Sequence, residues 1–181
     1  MSSLLPLASL MLTVFTLLIF LRAALHKVQD FDEFQGFVTD YDLLPEKWIK
    51  PASVALVAAE LGIVVMLLIS TTRAPALLLA AALLMLYAAV MEINIRRGHT
   101  RIECGCGGAP QYLSRRLLVR NAVLALCALL PLSALPQGLA TAEVLVSMAA
   151  AVVMFLSYLL IEQINANVLA VREMARQMKR I

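Results

Sequence analysis

Five long apolar runs separated by short polar segments dominate the chain. They cover about residues 4–25, 52–70, 75–95, 117–135 and 144–164. Each meets or approaches the roughly 20 apolar residues that a helix needs to cross a bilayer core. The pattern therefore predicts an all-α integral membrane protein, a bundle of about five transmembrane helices in one membrane domain spanning residues 1–181. Pro51 and Pro75 mark the starts of two spans, where a missing N–H costs little. Pro136, Gln137 and Gly138 predict a tight turn between the last two. The first run lacks a basic leader and a clear small-residue cleavage site, and it exceeds a signal-peptide core, so it reads as a retained helix.

The connections differ sharply in character. Residues 71–74 allow only a hairpin. Residues 26–50 place Phe31, Phe34, Phe37, Val38 and Tyr41 at helical spacing among acidic residues. That spacing predicts a short interfacial helix after the first span, with its aromatics in the headgroup layer. A loop over 96–116 carries two cysteines. Beyond the last span, the tail 165–181 continues as a charged helix from about residue 168, leaving the bilayer.

Composition agrees with this outline. The chain is 62% hydrophobic and 15% charged, with a mean hydropathy of +0.87. Soluble domains lie near 45–50% and about 25%. The lipid bilayer is thus the first partner. A net charge of +3, clustered in loops, fits membrane topology and argues against nucleic acid. Five spans put the 26–50 segment, the cysteine loop and the tail on one side, together with Arg96, Arg97, Arg101, Arg115 and Arg116. The opposite side has little beyond Arg73. Charge alone assigns the rich side to the cytoplasm. Six carboxylates in the 26–50 segment oppose Lys27, Lys47 and Lys50, but acidic residues weigh little in that rule.

The loop chemistry centres on Cys104-Gly105-Cys106. Residues i and i+2 have Cα atoms about 5.5–7 Å apart, overlapping the range a disulfide tolerates. So small a ring is strained, and strained exposed disulfides are the labile ones. Gly105, Gly107 and Gly108 relax the backbone and admit a partner's chain. Arg101, with Arg96 and Arg97 behind it, favours the thiolate. Thiol–disulfide exchange with a partner protein is one reading. A glycine-rich turn with incidental thiols is another. A soft-metal site for Cu(I) or Hg(II), adding His99 and Glu103, is a third; structural zinc lacks its four ligands. Cys127, placed about a third of the way down span four, reads as a small hydrophobe or as a redox relay.

Polar residues also interrupt the spans. Glu60 sits mid-span, where an ionisable group is a functional candidate. Arg22, His26 and Lys27 close the first span, with Arg22 and His26 sharing a helix face. Glu60 can pair with one of these if the two spans are neighbours, or can hold an interhelical hydrogen bond. Arg22, Lys27 and Arg96, each taken alone, read as snorkelling anchors. Glu92 and Asn94 end span three, and Asn121 lies on span four. There is no phosphate-binding loop and no histidine pair for haem, so no cofactor is expected.

The order Arg22-x-x-x-His26-Lys27-x-x-Asp30-Phe31-x-x-Phe34, followed by Tyr41-x-Leu43-Leu44-Pro45, resembles the opening of the MauE family of methylamine utilisation proteins. Ala59-Glu60-Leu61-Gly62, and Asn94-x-x-Arg97-Gly98 leading into Glu103-Cys104-Gly-Cys106-Gly-Gly108, resemble its later motifs. The resemblance runs from span one into span four. It implies a five-span, DoxX-like membrane protein of the bacterial inner membrane. It also implies a thioredoxin-like periplasmic partner (MauD-like) and, as client, the disulfide-rich β subunit of methylamine dehydrogenase. Cys104 and Cys106 then inherit a redox role, with Arg22, His26, Lys27, Glu60, Asn94 and Arg101 in support. Periplasmic partners imply an outward-facing loop, against the charge count. Gly107 and Gly108 stand where relatives often carry an aromatic. Two other functions fit the same residues: a soft-metal transporter with Glu60 as intramembrane ligand, and a non-catalytic anchor or chaperone for the subunit.

Overall fold

The computed structural model describes residues 4–99, 102, 112–135 and 138–178. Six α-helices account for most of them: α1 (Leu4–Gln29), α2 (Phe31–Asp40), α3 (Glu46–Leu68), α4 (Arg73–Arg96), α5 (Arg115–Leu129) and α6 (Thr141–Met178). Short 3-10 turns, Ser70–Thr72 and Leu130–Ser133, join α3 to α4 and extend α5. All but α2 lie in segments long and apolar enough to cross a membrane. The protein is an all-α, multi-pass membrane bundle.

Packing follows the small residues. α4 lies against α5 and α3, while α1 lies against α3 and α6. Ala76, Ala80, Ala128 and Ala151 are fully buried and let the helix backbones approach. Phe15, Phe20, Ile63, Leu67, Leu77 and Leu84 fill the space between. Large apolar residues such as Leu78, Val119, Leu126, Val153 and Leu160 face outward, as hydrocarbon contact requires.

Several boundaries move from the expected positions. α1 runs on to Gln29, which carries His26 and Lys27 inside the helix. α3 begins at Glu46, so Pro51 lies inside it rather than at its start. Proline's fixed φ is helical, and only one i→i−4 bond is forfeited there. α6 has no break near residue 164 and continues to Met178. α2 packs on α3 and α1 with Phe34 buried. Its aromatic face thus turns toward the bundle, not into the headgroup layer.

The α2 end of the bundle also anchors the cysteine segment. The Leu113 N–H donates to the Ile102 carbonyl at 3.1 Å. Ile102, Leu113 and Leu117 pack with Tyr41 and Met91. The two roots of the segment are therefore tied to each other and to α4. Arg101, Cys104 and Cys106 themselves lie outside the described residues, as does the expected Pro136–Gln137 turn.

Candidate functional site

Beneath those roots lies the first of two buried ion clusters. Lys27, in the last turn of α1, and Glu60, midway along α3, are 2% and 1% exposed. The Lys27 ammonium is ion-paired with Glu60 Oε1. The Tyr87 hydroxyl of α4 donates to the same oxygen at 2.7 Å and accepts from Lys27 Nζ at 3.3 Å. The Phe34 ring of α2 covers the ammonium at 5.1 Å, and the Tyr87 ring flanks it at 4.9 Å. Four helices thus converge on one charge pair. Burial on this scale requires pairing, because an unpaired ion inside a membrane is costly. Glu60 Oε2 has no partner among the described residues.

The second cluster joins α1, α5 and α6. Glu162 accepts from Arg22 Nη1 at 2.8 Å, from Arg120 Nη1 at 2.7 Å and from the Tyr158 hydroxyl at 2.6 Å. Charge-assisted bonds of this length are the strong ones. A cavity of about 40 Å³ lies between the clusters, lined by Arg22, Lys27, Glu60, Arg120, Asn121 and Tyr158 among others. That volume exceeds what one water needs. Nearby Tyr41 closes α2; burial pushes its phenol up to about 12, partly offset by the Arg120 guanidinium.

The structure sorts the expected residues. Glu60 meets Lys27, which is buried and not a snorkelling anchor because α2 folds back over it. Arg22 reaches Glu162 instead, and the His26 side chain joins neither cluster; its carbonyl accepts from the Asp30 N–H at 3.0 Å. Asn94 is fully buried, its amide donating to the Val90 carbonyl at 3.2 Å. Arg96 is exposed and pairs with Glu92 one helical turn away. Cys127 is a free thiol in the last turn of α5. At 1.5 Å per residue it sits roughly 18 Å along the axis from Arg115. That is about two thirds of the way along the span rather than one third. Among the described residues no group of three potential metal ligands converges.

Glu162, Arg120, Tyr87 and Tyr158 were not singled out by sequence reasoning. A carboxylate inside the last span was the available signal for Glu162, and Tyr158 four residues earlier shares its helix face.

These features define a multi-pass membrane protein with a charge-paired interior beneath the roots of its cysteine segment. The family model described as methylamine utilisation protein MauE matches residues 5–134, from α1 through the turn after α5. The chain belongs to the MauE family. It is 42% identical over 125 residues to the methylamine utilization protein MauE of Methylorubrum extorquens, covering 68% of this chain and 67% of the relative. To the protein of that name from Paracoccus versutus it is 40% identical over 157 residues, 84% of each. The one from Paracoccus denitrificans is 34% identical over 135 residues, 74% of this chain and 73% of the relative. No solved structure matches significantly.

Proposed function

We propose that the protein is an inner-membrane accessory factor of methylamine utilisation that supplies disulfides to the β subunit of methylamine dehydrogenase. The observation that carries this reading is the Cys104-Gly-Cys106 pair in a family named for methylamine utilisation. The bond between Ile102 and Leu113 supports it, because it holds the roots of the pair's segment at one end of the bundle. A partner thiolate attacks one sulfur of the Cys104–Cys106 disulfide, breaking that bond and forming a mixed disulfide. The partner's second thiolate then attacks the mixed disulfide. The partner leaves oxidised, and Cys104 and Cys106 are left as a dithiol. A thioredoxin-like periplasmic protein is the immediate partner, so the loop faces the periplasm. The transporter alternative is weakened by the geometry of Glu60, its required ligand, which is committed to Lys27 and Tyr87.

Changing Cys104 and Cys106 together to serine is expected to abolish accumulation of fully disulfide-bonded β subunit. Removing the partner's second cysteine should trap a mixed disulfide between its remaining thiol and Cys104 or Cys106, visible on a non-reducing gel. In intact cells, a membrane-impermeant thiol reagent should label the reduced pair. A β subunit with all its disulfides in the double variant would eliminate the redox role and leave the anchor. Normal disulfides with lost metal uptake would favour transport.

A further inference from the structure

A second, larger cavity lies on the far side of Lys27, between α2, α3 and α4. Its volume is about 570 Å³, and Lys27, Phe34, Phe37, Tyr41, Ala59 and Tyr87 are among the residues that line it. Leu44 and Leu86 also line it and remain exposed, so the cavity is open at the surface of the bundle. The volume lies in the range of pockets for small organic ligands. Apart from Lys27 and the tyrosine hydroxyls, its wall is apolar and aromatic. We propose that this cavity binds a prenylated quinone, with the ring against Phe34 and Tyr87 and one ring carbonyl accepting a hydrogen bond from Lys27.

Three observations select that ligand. An ammonium has three protons, and Lys27, which lines this cavity, gives one to Glu60 and one to Tyr87, so a third is open to a ligand. The lysine's charge is already matched by Glu60, so the site suits a neutral acceptor such as a carbonyl; a phosphate would bring unbalanced negative charge into an apolar wall. The position is the third. Tyr41, Leu43, Val90 and Met91 line the cavity and also pack with Ile102 and Leu113, the roots of the cysteine segment. The cavity therefore adjoins the roots of that segment.

Placed there, the quinone would renew the disulfide. This consequence rests on the proposed exchange reaction, whereas binding does not. The Cys104 and Cys106 dithiol gives two electrons and two protons to the quinone. A sulfur–sulfur bond forms, both S–H bonds are lost, and the ring leaves as the quinol. The Lys27 proton at the carbonyl stabilises the negative charge that builds on oxygen as electrons arrive.

The protein has one tryptophan, Trp48, one helical turn before the cavity-lining Ala52. Purified protein in phospholipid nanodiscs can be titrated with decyl-ubiquinone while Trp48 fluorescence is followed. Saturable quenching is expected. Ala59→Phe, which fills the cavity, should weaken it roughly tenfold or more, and the milder Ala55→Leu should act in the same direction if the first variant folds poorly. The Cys104→Ser, Cys106→Ser double variant should bind as the natural chain does, so a failure of thiol exchange and a failure of quinone binding read out separately. Quenching that rises linearly with quinone content, or that survives both filling variants, would overturn the proposal. So would co-purified phospholipid that excess quinone does not displace.

Discussion

Replacing Lys27 with methionine is expected to destabilise the bundle by about 3–5 kcal/mol, the cost of leaving a buried charge without its partner. Methionine keeps the length and apolar stem of lysine, so the loss isolates the ammonium. Glu60 would remain on α3 at 1% exposure, with only the Tyr87 hydroxyl donating to it. The Phe34 and Tyr87 rings would lose the cation between them, loosening α2 from the α1 terminus. The partner change Glu60→Leu should be comparably harmful, because it strands the ammonium. Joining the two changes should recover most of the loss, since a buried ion pair replaced by apolar residues of similar volume is often neutral or even stabilising. The measurement is denaturant unfolding in mixed micelles together with steady-state level in the membrane. Additive losses in the double variant would show that the two residues do not form a unit. The rescued variant is also informative about activity. It should fold yet bind decyl-ubiquinone poorly, since the Lys27 donor is gone.

Much of the fold is legible in hydropathy, because lipid contact imposes apolarity over a length fixed by the bilayer. Helix adjacency imposes no such pattern. Glu60 stands out in the sequence as an ionisable group mid-span, but three cations at the end of the first span competed to be its partner. Lys27 wins because α1 extends past its apolar run to Gln29 and α2 folds back to cover it. A basic residue near a span's end has the same local sequence whether it snorkels to the interface or is covered by the next helix, so snorkelling was the natural expectation. The Glu162 cluster stayed hidden for a related reason. Its members come from α1, α5 and α6, with 140 positions separating Arg22 from Glu162. Only the tertiary arrangement brings them together. The thiol pair was legible as chemistry, since a Cys-x-Cys among glycines states its own reactivity. Its neighbourhood became visible only once the roots of the segment were seen tied above an apolar cavity.

Glu162→Leu is the second change expected to have a large effect, and it acts on α6 alone. This helix packs along α1, and little of its apolar length is buried within the bundle. Lipid tails solvate a leucine-rich face as well as another helix does, so apolar burial supplies little force for docking. Ala151 and Ser147 give a close seat near one end of the helix. Near the middle of the helix, Glu162 holds Arg22 and Arg120 in a single network. Removing the carboxylate strips away the counter-charge that Arg22 and Arg120 share, at a cost of about 2–3 kcal/mol, less than for Lys27 because Arg22 keeps part of its water contact. Tyr158→Phe removes a single hydrogen bond from the same carboxylate and should cost only about 1 kcal/mol. Glu162→Gln, which preserves shape but not charge, should fall between them. Hydrogen exchange resolved by helix reads this directly: α6 should lose protection in Glu162→Leu while α3 and α4 keep theirs. Uniform loss across all helices would mean that the cluster supports the whole bundle. Equal protection in Glu162→Leu and Tyr158→Phe would mean that the ion pairs contribute nothing beyond a hydrogen bond, and the seat at Ala151 would then have to hold α6 unaided.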